Sequence, residues 1–360
     1  MDGFFDKYGR VIIIAVAICF VLLYLTPMRN VVGSSINGFA GNFANKVGES
    51  LGTVKMPDGS GNVAKEQSSM LIDGPTFSNT IPDIATSVVF CDEKASEGVA
   101  ATDLTVAKDG DVVGWLDGTT WKVSTQNNNK KILFNEDSRS MFNENRMLTN
   151  IQFDNIDTSK VKNMREMFRN CINLETLDLS SFDTSNVTNM YNLFLDCNKL
   201  ISLDLSNFNT SNVIYIGSMF YDCMSLTSLN LSSFNTSKVK CMEGMFYGCK
   251  SLISLNLSNF DTSNVETMSW MFYECEKLNE LDLSNFDTSK AIKMVGMFRE
   301  MTNLEYLNLS SFNTSKVTDM TSMFLGSNNL KSVKIRSQTD IDNFKTKNAY
   351  ALPSVKFEIA

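Results

Sequence analysis

One phrase returns along this chain at a step that never slips. The Phe of "SSFDTSN", Phe182, recurs as Phe208, Phe234, Phe260, Phe286 and Phe312, each 26 residues further on, and Ile156 holds the place one step earlier. A second phrase keeps the same step, from Met141-Phe142 and Met167-Phe168 through Leu193-Phe194 to Met323-Phe324. A fixed period of this size marks a solenoid, in which each copy contacts only its neighbours. The repeats run over residues 141–336 and restrict the chain to architectures that stack one unit many times.

The residues of one copy predict its parts. Val187, Met190, Leu193, Phe194 and Cys197 fall at helical spacing. Asp183, Thr184 and Ser185 stand just ahead of them and suit an N-cap. Leu200, Leu203 and Leu205 then alternate with Asp204 and Ser206, the pattern of a short strand, and Phe208 turns inward to close the unit. One copy alone cannot bury both apolar faces, whereas stacked copies can. Strands pair about 4.8 Å apart and helices pack about 8–10 Å apart. The expected fold is therefore an α/β repeat solenoid that curves, with strands inside and helices outside.

The core phrase L-x-x-L-x-L-x-x-F, as in Leu200, Leu203, Leu205 and Phe208, matches a leucine-rich repeat with Phe where many such repeats place Asn. The fuller phrase "LDLSNFDTSNV", followed by "MF" and Cys, resembles the BspA-like bacterial surface proteins, named for a Bacteroides surface protein. The segment "DGDVVGWLDGTTWKVST" resembles the β region that often precedes those repeats. The resemblance covers residues 83–336. It implies a curved, surface-displayed leucine-rich repeat domain used for protein binding and adhesion, and it carries over no particular ligand.

The flanks divide the rest of the chain. Residues 11–25, "VIIIAVAICFVLLYL", are uncharged and apolar, and with the residues up to Met28 they can just span a bilayer. No small-x-small site follows, so residues 1–29 are expected to hold a cytoplasmic stub and an uncleaved anchor, a cleaved signal peptide being the alternative. Lys7 and Arg10 favour a cytoplasmic N-terminus and place the rest outside the cell. Ile36, Phe39, Phe43, Val47 and Leu51 predict an amphipathic helix over 30–51, which is a candidate self-association stripe or an extension of the anchor. Residues 52–82 are rich in Gly, Pro and Ser and read as a linker. Over 83–140 the period changes to two, with Asp117-Gly118 as a hairpin turn; this is expected to be a small β cap on the exposed end of the solenoid. Trp115 and Trp121 are expected in its core, with a carbohydrate platform as the alternative reading. Residues 337–360 either cap the last repeat or trail from it.

Composition narrows the chemistry. The chain has no histidine and a net charge of −8, which removes the commonest general base and argues against nucleic acid. No C-x-x-C pair exists for a thiolate metal site. Identical residues in rows, without converging unlike ones, argue for a non-enzyme, and no cofactor is expected. Cys171, Cys197, Cys223, Cys249 and Cys275 form a ladder whose place is taken elsewhere by Asn145, Met301 and Ser327. Helix spacing would hold these thiols too far apart to pair, and tighter turns would permit it. Cys91 and Cys241 are expected to be largely buried.

Two surfaces are candidate partner sites. Tyr221, Tyr247 and Tyr273 recur in step, and Tyr191, Tyr215 and Trp270 replace polar or small residues of other copies. They read equally as binding anchors or as outer-face packing. Trp270 is the best single candidate, because Ser218, Gly244 and Gly296 hold its place in neighbouring copies. On the inner face, Asp178, Asp204, Asn230, Asn256, Asp282 and Asn308 form a polar ladder. It is expected to solvate the sheet and bond to itself, with a recognition face or weak Ca²⁺ sites as the alternative. The expected function is a single-pass, membrane-anchored bacterial surface protein whose solenoid binds an extracellular protein or glycan in adhesion. The alternative is a structural spacer or assembly component of the cell envelope.

Overall fold

The computed structural model describes residues 69–127, 130–348 and 355–360. All of them belong to the unit Asn62–Ala360. The expected anchor over residues 11–28, the amphipathic helix over 30–51 and the first part of the expected linker lie outside the described residues.

The core of each repeat sits where the apolar pattern places it. Val187, Met190, Leu193, Phe194, Cys197, Leu200, Leu203, Leu205 and Phe208 are all buried, as are nearly all their counterparts in the neighbouring copies. Eight rings, Phe142 to Phe324, stack face to face with centroids 5.4–5.8 Å apart. This stack is the spine of the molecule.

The connection between Val187 and Cys197 is not the expected helix. It is a run of tight turns, repeated in every copy. The reason lies in two left-handed positions per repeat. The first runs Ser140, Glu166, Asn192, Ser218, Gly244, Trp270, Gly296, Ser322, and the second runs Glu144, Asn170, Asp196, Asp222, Gly248, Glu274, Glu300, Gly326, all with φ between +52° and +82°. A left-handed residue cannot continue a right-handed helix. The backbone pairs outward instead. The N–H groups of Met190, Asn192, Phe194 and Asp196 donate to the carbonyls of Tyr215, Gly217, Met219 and Tyr221 in the next copy. Leu193, Leu195 and Cys197 donate back three residues within their own turn. Turn donors are thereby satisfied either locally or by the next copy, as burial demands.

The phrase expected as an N-cap closes a turn in place of a helix. The Ser185 N–H donates to Asp183 Oδ1 at 2.9 Å. The buried Thr184 hydroxyl donates to the Asn209 carbonyl and accepts from the Asn209 N–H, which staples one copy to the next. Thr158, Thr210 and Thr288 repeat this reciprocal pair.

The sheet side is less regular than the turn side. β8 (Ser202–Asp204) pairs with β9 (Ser228–Asn230), both parallel and in register. β10 (Glu280–Asp282), β11 (Tyr306–Leu309), β12 (Ser332–Ile335) and β13 (Lys356–Ile359) form a second parallel sheet. The copies at 176–178 and 254–256 make no ladder, and Leu229 and Leu255 are only half-buried. The residues 252–260 differ little from 200–208, which do pair, so nothing local writes the break. A single-residue parallel bridge runs unbroken on the turn side, from Asp137 through Asn189, Tyr215 and Cys241 to Asp319. The turn side thus advances by backbone hydrogen bonds without a helix, so the helix-versus-strand mismatch behind the expected curve is absent.

Both ends are closed. At the start, α1 (Gly74–Ser78) and a five-stranded sheet ordered β2-β3-β4-β1-β6 close the first repeat, with β1 at Ser87–Cys91, β2 at Thr102–Asp103, β3 at Val113–Asp117, β4 at Thr120–Ser124 and β6 at Asn150–Phe153. β1 pairs in parallel with β6, the first strand of the solenoid, so the cap sheet runs into the repeats. β5 (Ile132–Leu133) pairs with β7 (Ile156–Asp157) beside it. β3 and β4 form a hairpin whose loop holds Gly118 at φ +61°. Trp115 and Trp121 are each 5% exposed and belong to the interior, not to a surface platform. Residues 69–82, expected as linker, are folded into this cap, with Leu71, Phe77 and Ile81 buried. At the far end, α2 (Gln338–Lys347) and β13 close the last repeat. α1 and α2 are the only helices among the described residues, and neither is long and apolar enough to cross a membrane.

Candidate functional site

The turn side carries the aromatic residues. Tyr221 and Tyr247 stack with ring centroids 4.1 Å apart and 5° between planes, and Tyr247 and Tyr273 follow at 4.4 Å and 7°. The Arg299 guanidinium, at the same place one copy on, covers the Tyr273 ring at 5.3 Å. The three tyrosines thus pack on one another as a column, and their edges face outward. Burial raises the Tyr221 and Tyr247 hydroxyl pKa values, and Tyr273 is pushed up to about 12 for the same reason. All three stay protonated and can donate at neutral pH.

Trp270 stands beside this column in a backbone conformation that few bulky residues adopt, φ +57°. Its side chain is 40% exposed. The indole lies over the backbone of Gly296: a Cβ added there would come within 2.7 Å of Trp270 Cδ1. The indole also lines a cavity of about 400 Å³, together with Ser218, Glu243, Gly244, the three tyrosines and Arg299. The sequence singled out Trp270 and the three tyrosines, which the structure brings together. It missed Ser218, Glu243, Gly244 and Arg299. The glycine and serine at the Trp270 place were a usable signal, because such residues mark a left-handed position.

Tyr191 and Tyr215 do not line this cavity. Tyr191 is half-buried, with the Arg165 guanidinium 5.6 Å from its ring on one side and the Gly217 backbone on the other. Tyr215 is 50% exposed and lies on the bridge ladder between Asn189 and Cys241.

The inner-face ladder is engaged with its own backbone. Asp178, Asp204, Asn230, Asn256, Asp282 and Asn308 each accept from the N–H two residues on, at 2.9–3.2 Å. Asn230 also donates to Asp204 at 3.3 Å. These backbone bonds hold the Asp178, Asp204 and Asp282 carboxyls below the usual carboxylate range. A cavity of about 600 Å³ lies over this face near Ile253, Asp282 and Tyr306. Of its carboxylates, Asp282 is already engaged by the Ser284 N–H and Glu358 by Lys356. No group of three or more acidic or thiol ligands suited to a metal exists among the described residues.

The cysteine ladder is buried and free of disulfides among the described residues. Tight turns remove the distance argument against pairing. Each thiol is engaged instead: Cys171, Cys197, Cys223, Cys249 and Cys275 each donate from Sγ to the carbonyl of a Phe in the preceding copy, 3.1–3.2 Å away. Burial raises all five thiol pKa values. Cys91 is buried, whereas Cys241 is only half-buried, short of the burial expected for it.

Stacked turns on a phenylalanine spine, closed at both ends and bearing an exposed aromatic cavity, define a capped repeat solenoid with a candidate binding face. The chain belongs to the family described as "Mycoplasma protein of unknown function, DUF285", whose pattern matches residues 136–254 and again 246–354. Among solved structures it is similar to a leucine-rich repeat protein from Bacteroides ovatus, with 18% identity and a TM-score of 0.36 over 58% of this chain and 55% of that one. The match thus spans about half the length of that relative. No curated protein sequence matches the chain.

Proposed function

We propose that this chain is a membrane-anchored bacterial surface protein of the BspA-like kind, whose solenoid binds an extracellular protein or glycan through the turn-side face around Trp270. One observation carries the reading. Trp270 is held left-handed, at a place filled elsewhere by Ser, Gly, Asn and Glu, and its indole is left partly in water. A non-glycine residue in that conformation costs about 1–3 kcal/mol. Folding alone does not repay that cost with a buried tryptophan. Exposed Trp and Tyr supply most of the energy at many binding surfaces. The repeated face suits many weak contacts in parallel. Rows of like residues speak for binding over catalysis. The membrane placement rests on the apolar run 11–25 and on Lys7 and Arg10.

The test uses the full chain in mild detergent, wild type and Trp270→Asn, against a panel of matrix proteins and immobilised glycans. Asparagine tolerates the left-handed conformation, so the circular dichroism spectrum and melting midpoint are expected to stay put while affinity falls at least tenfold. Binding that survives the substitution would move the site to the Asp204–Asn230 face. A wild-type chain that binds nothing on the panel, yet associates with itself through residues 36–51 in sedimentation, would favour the envelope spacer.

A further inference from the structure

Resting on the reading of the turn side as a binding face, we infer that the notch over Gly244 is a subsite for one sugar ring of a glycan, with Trp270 as its stacking wall. The place is a missing rung. Ser218, Gly244, Trp270, Gly296 and Ser322 are successive members of one left-handed ladder, φ +52° to +60°. The indole leans over Gly296, and it lines the same cavity as Gly244 and Ser218. Gly244 contributes no side chain there, and a Cβ would meet Ser218 Oγ at 3.2 Å. What remains is a slot bounded by the indole, by Ser218 and by the edges of Tyr247 and Tyr273. Its volume, about 400 Å³, falls in the usual range for small-ligand sites.

The lining chooses the chemistry. The Glu243 carboxylate only accepts, the Arg299 guanidinium only donates, and Ser218 and the protonated tyrosines do both. Arg299 Nε is buried without a hydrogen-bond acceptor, the nearest carboxylate oxygen, on Glu300, standing 3.7 Å away. An apolar or aromatic side chain of a partner protein would fill the slot but strand these polar groups, which costs binding free energy. A pyranose has a flat C–H face to lay on an indole and a rim of hydroxyls that both donate and accept. It satisfies the wall and the rim together. One ring alone makes few contacts, so a dissociation constant on the order of 1 mM is expected for a single subsite, and avidity comes from longer chains.

The chain itself supplies the reporter. Of its three tryptophans, Trp115 and Trp121 are buried, and Trp270 alone is exposed. The full chain is applied to an array of immobilised oligosaccharides, and the best-bound oligosaccharide is titrated while tryptophan emission and acrylamide quenching are followed. The expected result is a shift in emission with protection from quenching in the wild type. Gly244→Asn fills the slot with a residue that Asn192 shows to be accepted two copies earlier, and it is expected to lower affinity at least tenfold while the chain still unfolds cooperatively, at a somewhat lower midpoint. Trp270→Asn is expected to lower affinity likewise by removing the wall. The wild-type quenching result stands by itself if either variant folds poorly. Absence of binding to every oligosaccharide overturns the proposal, and so does sugar binding that Gly244→Asn leaves intact. A matrix protein that binds in a Trp270-dependent way without any glycan overturns the sugar assignment and leaves the turn-side binding face standing. Binding of any kind that ignores Trp270 overturns both.

Discussion

The left-handed residues hold the individuality of this chain. At Gly248, Gly296 and Gly326 a neighbour uses the space that glycine leaves. The Asp222 carboxylate sits over Gly248, in the volume its Cβ would occupy. Burial, then the charges of Asp196 and Glu274, raise the Asp222 pKa to about 6, against a smaller opposing effect of Lys250. In the unfolded chain this carboxyl titrates near 3.8. Between these values the folded state binds more protons than the unfolded one, so stability falls as pH rises from about 4 to 6. The slope from this group is at most about 1.4 kcal/mol per pH unit. Asp222→Asn keeps a residue that accepts the left-handed backbone and removes the charge. It is expected to flatten this slope and to raise the urea midpoint at pH 7, measured by denaturation at a series of pH values.

At the scale of the element, the repeat is a turn stapled to its neighbour. Thr210 shows how: its hydroxyl, 1% exposed, donates to the Asn235 carbonyl at 3.0 Å and accepts from the Asn235 N–H at 2.8 Å. Thr210→Val keeps the shape and removes both bonds, leaving a backbone N–H and a carbonyl without partners. A loss of about 2 kcal/mol is expected. Thr188→Val, at an exposed hydroxyl with one carbonyl partner, serves as the control and is expected to cost under about 1 kcal/mol. Urea unfolding of the two variants side by side checks the difference. The threonine in "DTS" was visible in the sequence, but it read as part of a helix cap. Its true partner lies 25 residues away, and no local pattern names it.

At the scale of the whole molecule, the question is how a stack of like units ends. The phenylalanine spine stops against rings that are turned: Phe77 meets Phe142 at 78°, and Phe344 meets Phe324 at 58°. The threonine staple stops on a side chain. Thr314 gives both its N–H and its hydroxyl to Asp340 Oδ1, at 2.9 and 2.7 Å, in place of a further copy. Asp340 is 1% exposed and also accepts from Ser337 and Arg336. Burial works to raise its pKa, but the bonds from Arg336, Ser337 and Thr314 outweigh it and lower the value to about 2. The folded pKa is depressed, so this group's contribution is present above about pH 4 and is lost as pH falls towards 2. It amounts to about 2 kcal/mol. Asp340→Ala is expected to cost about 3 kcal/mol at pH 7 and to remove this part of the acid sensitivity. Solenoids open from a weakened end. Hydrogen exchange on the variant is therefore expected to speed up first in residues 290–335, with residues 187–240 little changed.

The period, the buried positions of the repeats and the strand-forming pattern within residues 83–140 were legible in the sequence. Each depends on residue type at a fixed step, and burial of an apolar side chain needs no knowledge of the path between. The path was not legible. Apolar residues at spacings of three and four arise from a helix, but equally from chained turns whose N–H groups reach back three residues. Val187, Met190, Leu193, Phe194 and Cys197 fit both. What separates the two is the recurrence of Gly, Ser, Asn and Asp at the left-handed places, together with hydrogen bonds to residues 25 positions on. The slot over Gly244 belongs to the same class of fact. It exists because a glycine in one copy lies beside a tryptophan in the next, and only the stacking of copies makes them neighbours.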